Sequence, residues 1–206
     1  MILGVIPARL NSTRFPSKVI FPLKGKPIIE HVYEKALQSN LLNKVIVAVD
    51  SEETKNVINC QNIIMTSDKH QSGTDRVAEV ANNFNCDIVV NIQGDEPGID
   101  PLLIDKLIQL FEDPDVEMAS IASTDLKEDD LNNDNVVKVN LDKENNAISF
   151  IRNNLNPEST YYRHIGIYAY RKNTLNLFTS LTQSDNEKNH RLEPVSYTHL
   201  TLPTKA

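Results

Sequence analysis

Runs of apolar, β-branched residues alternate along this chain with amphipathic stretches at helical spacing, and that alternation limits the fold more than any other feature of the sequence. Residues 2–6 form a short apolar run that breaks at Pro7 and gives way to a loop rich in Pro, Arg and Ser. Residues 27–39 follow with Ile28, Ile29, Val32, Tyr33, Ala36 and Leu37 at helical spacing. Residues 44–49 are a second β-branched run, closed by Asp50-Ser51-Glu52-Glu53, which reads as a strand end feeding a capped helix. Residues 62–66 make a weaker third strand, residues 74–84 a helix with Val77, Val80, Ala81 and Phe84 on one face, and residues 87–92 a strongly apolar strand. This order predicts an α/β domain with a mostly parallel sheet and helices on both faces, in which ligands gather at the carboxyl ends of the strands.

After an amphipathic helix at residues 101–111 the pattern changes. Residues 118–122, 136–141, 147–151 and 165–170 read as strands joined by polar turns, with the Asn-rich stretch 142–146 marking a hairpin. No repeat or low-complexity linker separates the two parts, so the second extends the sheet of the first. A chain of 206 residues, 40% hydrophobic and 24% charged, can bury one ordinary core without disulfides or a structural metal. Its 28 acidic and 21 basic side chains leave a net charge of −7, which repels a nucleic-acid backbone and argues against polymer binding. The opening apolar run falls far short of the ~20 residues of a membrane span and lacks a signal peptide's basic start, so no membrane insertion is expected. Cys60 and Cys86 have no metal-like spacing and read as reduced, partly buried thiols in a reducing compartment.

Chemistry is concentrated in loops that follow strands. Pro7-Ala8-Arg9-Leu10-Asn11-Ser12-Thr13-Arg14-Phe15-Pro16-Ser17-Lys18 places Arg9, Arg14 and Lys18 at a strand's carboxyl end. Taken alone this is either a solvated basic loop or a triphosphate cradle, in which backbone N–H groups hold phosphate oxygens and the cations neutralise a leaving pyrophosphate. The glycines of a Walker loop or a GxGxxG fingerprint are absent, which argues against kinases and dehydrogenases. Gln93-Gly94-Asp95-Glu96-Pro97 follows the most apolar strand and is either a structural acidic turn or the place where Asp95 holds Mg2+ against phosphates. In Ser72-Gly73-Thr74-Asp75-Arg76 the small residues let backbone approach a base or ribose, and Arg76 meets phosphate or pairs with an acid; Ser72 or Thr74 can equally cap the helix. His31 and His70 are read as packing or surface residues.

Together the phrases IPARLNSTRFPSK, LKGKPIIEHVYEKAL, HQSGTDRVAEV, NIQGDEP and YYRHIGIYAYR, in this order, resemble the 3-deoxy-manno-octulosonate (Kdo) cytidylyltransferase family over roughly residues 1–193. The resemblance implies a single Rossmann-like nucleotide-diphospho-sugar transferase domain. It also implies an enzyme that takes CTP and Kdo as substrates, uses Mg2+, and works as a homodimer in the cytoplasm of a lipopolysaccharide-making bacterium. By position, Arg9 and Lys18 match the family's triphosphate contacts, with Arg14 a further candidate; Ser72, Gly73 and Arg76 match its nucleotide-side loop; Asp95 matches a metal ligand. Gln93, Arg152 and His164 match groups placed around the acidic sugar, with Arg152 pairing with its carboxylate. Catalysis is expected to rest on Lys18, Arg9 and Asp95.

Residues 194–206, PVSYTHLTLPTKA, have no counterpart in the family pattern and read as a non-native tail following an incomplete domain at residues 1–193. Such a chain is expected to lack the family's second metal carboxylate and to be nearly inactive, with the tail weakly packed. Two rival readings are a CMP-sugar synthetase for another acidic ketose, such as amino-Kdo or a sialic-like acid, and a catalytically dead nucleotide-binding module.

Overall fold

The computed structural model of the protein describes residues 1–10, 17–70, 72–181 and 204–205. Along the chain run β1 (Ile2–Ala8), a 3-10 turn (Lys18–Ile20), the short strands β2 (Pro22–Leu23) and β3 (Lys26–Pro27), α1 (Ile28–Ala36), β4 (Lys44–Val49), α2 (Glu52–Val57), β5 (Ile63–Met65), α3 (Gly73–Asn82), β6 (Ile88–Asn91) and α4 (Pro101–Gln109). The second part holds β7 (Met118–Ser123), α5 (Glu128–Leu131), β8 (Lys138–Leu141), β9 (Ala147–Ile151), β10 (Tyr161–Arg171), α6 (Lys172–Ser180) and β11 (Thr204–Lys205).

The main sheet has the order β11-β7-β10-β6-β1-β4-β5. β6, β1, β4 and β5 are parallel, and β10 enters antiparallel between β6 and β7. The hairpin of β8 and β9 pairs with the first residues of β10. This is the mixed, mostly parallel α/β sheet that the alternating runs predict.

Side chains alternate across the sheet with period two, so each central strand feeds two cores. Ile6, Val47, Val49 and Val90 face Ile29, Val32 and Ala36 of α1 and Ile104, Leu107 and Ile108 of α4. Leu3, Val5, Ile46, Ala48 and Val89 face Val77, Val80 and Ala81 of α3 and Leu175 of α6. Each fully buried aliphatic side chain contributes about 1.5–3 kcal/mol.

Several local details depart from the pattern reading. α1 stops at Ala36, and Leu37, counted on its apolar face, is half exposed at the C-cap. β10 is longer than the apolar run 165–170 because Tyr161, Tyr162, Arg163 and His164 continue it beyond the parallel strands. The β2–β3 hairpin, α5 and α6 are further elements of the fold; Lys24 and Gly25 turn the hairpin with positive φ values of 50° and 87°. The predicted turn at 142–146 is present, with Asp142 Oδ1 accepting from the N–H groups of Glu144 and Asn146, both at 2.8 Å.

Both cysteines are free. Burial and the neighbouring Glu30 and Glu34 push the Cys60 thiol up to about 12, so it is protonated and unreactive at neutral pH. Residues 194–203 and 206 of the predicted tail lie outside the described residues, while Thr204–Lys205 form β11, paired in parallel with Met118 and Ala119 of β7. Among the described residues no helix is long and apolar enough to cross a membrane.

Candidate active site

β1 carries Arg9 and Leu10 past the carboxyl edge of the sheet, and two hydrogen bonds hold Leu10 and Ser17, the described ends of the basic stretch. The Leu10 N–H donates to Asp50 Oδ1 at 3.2 Å, and the Ser17 N–H donates to the Leu10 carbonyl at 2.9 Å. Asp50 follows β4, and its Oδ2 lies 3.4 Å from Arg76 Nη2. Arg76 is only 2% exposed, and its Nη1 also donates to the Thr66 hydroxyl, which donates to the Val49 carbonyl at 2.9 Å. Of the two roles that the sequence leaves to Arg76, the structure shows pairing with an acid. A guanidinium at this depth holds Asp50, which in turn accepts from the Leu10 N–H.

Ser72 likewise takes its local role. Its Oγ accepts from the Asp75 N–H at 3.0 Å while Asp75 Oδ2 accepts from the Ser72 N–H at 3.1 Å, a reciprocal cap on α3. Gly73 lies behind it against Pro7 and lines the site. Arg9 is exposed just past β1, and Arg14 lies outside the described residues.

Lys18 and Asp95 meet. The Lys18 ammonium donates to Asp95 Oδ2 at 2.8 Å, with both side chains partly exposed. Their approach depends on Gly94: a Cβ there would stand 2.8 Å from the Pro7 carbonyl oxygen, closer than side chains tolerate against backbone. The loop after β6 therefore packs directly onto the end of β1. Glu96, next in sequence, has its carboxyl pushed up by burial and by the Asp95 charge, with Lys18 and Arg163 opposing.

A cavity of about 660 Å³ opens here, lined by Pro7, Gly73, Gln93 and Asp95 on the parallel side and by Arg152, Arg163 and His164 on the hairpin side. The structure thus brings the three sugar-side candidates, Gln93, Arg152 and His164, to one cavity with Asp95 and Gly73. Gln93 faces Gly166, where a Cβ would lie 3.5 Å from its side chain. Arg152 Nη1 donates to the carbonyls of Asp134 at 2.9 Å and Asn135 at 3.4 Å. His164 is 9% exposed, hydrogen-bonded to the Ser120 hydroxyl at 2.7 Å and edge-on to Phe150 with ring centres 4.9 Å apart. Burial, aided by the charge of Arg152, pushes its imidazole down to about 4, so the ring is neutral near pH 7.

Pattern reading missed the residues that hold this wall. Lys138 is fully buried, and its ammonium donates to the carbonyls of Asn133 at 2.8 Å and Arg152 at 2.6 Å. Burial pulls its pKa down, while Asp134 and Asp130 counteract. The signal was present: a Lys within Val136-Val137-Lys138-Val139 is out of place in an apolar strand unless it is paired. Ser120 within Met118-Ala119-Ser120-Ile121-Ala122 is a weaker signal of the same kind. The other two described histidines have local partners: His31 Nε2 lies 2.8 Å from the Leu23 carbonyl, and His70 bonds Glu79.

Among the described residues no group of three or more His, Cys, Asp or Glu is arranged to hold a metal. Asp95 supplies a single hard carboxylate, which fits Mg2+, a cation that binds one or two carboxylates together with substrate phosphates and retained waters.

A family model described as cytidylyltransferase matches residues 3–200. Among similar proteins, a 3-deoxy-manno-octulosonate cytidylyltransferase of Pelobacter propionicus is 38% identical, covering 93% of this chain and 83% of the relative. One of Solibacter usitatus is 40% identical, covering 93% of this chain and 80% of the relative. The solved structure of a CMP:2-keto-3-deoxy-manno-octonic acid synthetase complexed with CTP superposes with a TM-score of 0.91 at 33% identity, covering 99% of this chain and 88% of that one. The fold extends to a putative glucose-1-phosphate thymidylyltransferase of Bacillus anthracis, with a TM-score of 0.68 at 17% identity over all of this chain and 86% of that one.

Proposed function

The chain belongs to the cytidylyltransferase family, and from that premise we propose that it transfers CMP from CTP to Kdo and releases pyrophosphate, activating the sugar for lipopolysaccharide biosynthesis. The observation that carries this reading is the polarity of the cavity. At one end a cation and a carboxylate, Lys18 and Asp95, meet at the carboxyl edge of the parallel strands. At the other, Arg152 and Arg163 flank the neutral His164 on the antiparallel wall.

In this reading the anomeric hydroxyl of Kdo attacks the α-phosphorus of CTP and loses its proton as the bond to the β-phosphate breaks. The protein's contribution is to position the reactants and neutralise charge. Lys18 and Arg9 lie against the triphosphate and stabilise the leaving pyrophosphate, the α3 cap at Ser72 and Gly73 abuts the nucleotide, and Arg152 pairs with the sugar carboxylate. Asp95 would hold Mg2+, which when bound supplies further neutralisation of phosphate charge. The free thiols agree with a cytoplasmic setting, and the family resemblance carries the proposal of a homodimer.

The test is pyrophosphate release from CTP and Mg2+ in the presence of Kdo, amino-Kdo or a nine-carbon sialic acid, by a version carrying a family-like C-terminal segment. Release that depends on Kdo supports the assignment. Equal or faster release with the nine-carbon acid would move the substrate to the related synthetases.

A further inference from the structure

β10 is irregular where it crosses the cavity. Its pairing with β7 runs from Ile165 opposite Ile121 to Tyr168 opposite Ser120, so Gly166 and Ile167 stand outside the ladder. This displacement aims two backbone carbonyls of β10 at one side chain of β7. Ser120 Oγ lies 2.9 Å from the Ile167 carbonyl and 3.4 Å from the Ile165 carbonyl, and 2.7 Å from His164 Nε2. Ser120 is 1% exposed, so no bulk solvent competes for these bonds.

A hydroxyl has one proton to donate and two lone pairs with which to accept. The carbonyls can only accept, and a buried carbonyl left without a donor is costly. The arrangement that satisfies most partners has Ser120 donate to Ile167 and accept from His164, which requires the proton of the neutral ring to sit on Nε2. The ring cannot easily turn away, since Phe150 packs edge-on and Tyr168 lies across it with ring centres 5.4 Å apart. Nδ1 has no hydrogen-bond partner among the described residues, yet it is not among the polar atoms sealed from solvent. Because His164 lines the cavity, Nδ1 is the nitrogen left for a ligand.

We propose that Ser120 is a positioning residue that fixes His164 in the Nε2–H tautomer, so that Nδ1 presents a lone pair to the cavity and selects a sugar hydroxyl that donates to it. The proposal rests on the sugar-side reading of the cavity given above and adds to it the direction of the hydrogen bond. Ser120 reaches the sugar only through His164. A ring in the opposite tautomer would meet the same hydroxyl with an N–H and favour an acceptor such as an ether or a carbonyl oxygen.

Two measurements keep the tautomer separable from the substrate assignment. Long-range proton–nitrogen correlation spectra of the ligand-free wild-type protein report directly which ring nitrogen carries the proton. A protonated Nε2 and a bare Nδ1 are expected, and a protonated Nδ1 overturns the proposal whatever the enzyme's substrate. Kinetics of a version carrying a family-like C-terminal segment then read the consequence. Ser120→Ala should mix the two tautomers in the spectrum and raise KM for Kdo about fivefold, the loss of roughly one hydrogen bond, with kcat and the KM for CTP little changed. Ser120→Thr, which keeps the hydroxyl, should restore the wild-type spectrum and KM. A Ser120→Ala spectrum identical to wild type, or equal losses for CTP and Kdo, would show that Ser120 only packs the strand. Should a version carrying a family-like C-terminal segment show no turnover with Kdo, the substrate assignment fails while the tautomer spectrum still decides the proposal made here.

Discussion

The two walls of the cavity are built by different means. On the parallel side, β1 and β4 bury apolar side chains on both faces and β6 adds only Asn91 at its end, so most function is left to the loops beyond them, where Gly94 lets backbone touch backbone and Lys18 reaches Asp95 across the gap. On the antiparallel side the functional groups stand on or beside the strands, and Lys138, Ser120 and His164 are polar side chains buried within the sheet itself. A loop wall tolerates loss of a side chain with its fold intact, because little packs against the charge that is removed. A strand wall couples function to stability, because each polar group is also a hydrogen-bond partner that the interior cannot replace with water.

The sharpest challenge to this contrast is Lys18→Ala. In a version carrying a family-like C-terminal segment it should lower pyrophosphate release ~10²-fold or more, the effect typical of losing one electrostatic donor, with an unchanged melting temperature. A variant that unfolds, or one that keeps full activity, breaks the comparison on the loop side.

Acid titration probes the strand side. His164 is held at about 4 against an ordinary value near 6.5, so the unfolded chain takes up its proton first as pH falls. The stability contributed by the neutral ring is complete above about pH 6.5 and is lost progressively as pH drops through about 4, on the order of 3 kcal/mol in all. Denaturant melts at pH 7 and pH 4.5 should show wild type losing more stability than His164→Gln. Parallel losses would mean that His164 does not contribute this dependence.

Lys138→Met should cost about 2 kcal/mol in the same assay, because two carbonyls lose a buried donor while the aliphatic stem is replaced. It should also weaken Kdo binding through the displaced Arg152 backbone. A stable variant with normal Kdo affinity would detach Lys138 from the site. At the small end, Lys55→Ala removes an exposed contact with Glu52 on α2 and should change stability by no more than about 0.5 kcal/mol, with activity untouched. A larger shift would show that surface pairs count for more here than the contrast allows.

What the sequence disclosed follows the same division. The apolar period of residues 44–49 coincides with β4, and that of residues 147–151 with β9, because burial on strand faces writes itself into spacing. Lys18, Asp95 and Gly73 were legible as site candidates because loops after parallel strands leave polar residues few other reasons to cluster. The supporting partners were not. Asp50 looked like a strand end, although it ties Arg76 to the basic loop, and Lys138 and Ser120 sat inside strands where pattern reading counts polar residues as interruptions. A hydrogen bond between residues 44 positions apart, such as Ser120 to His164, leaves no local period to read.

The two residues that β10 carries outside its ladder also constrain how this gene can change length. Side chains on a strand alternate between faces, and the pairing passes through Gly166 and Ile167 with His164, Tyr168 and Ser120 still sharing one face. Losing both residues together preserves that parity, whereas losing one turns the preceding segment over and offers Arg163 or Ile165 where His164 stood. Deletions in steps of two are thus compatible with the imidazole's orientation, and single-codon losses are not. The irregularity works as a reading frame for the sheet, one counted in faces instead of codons.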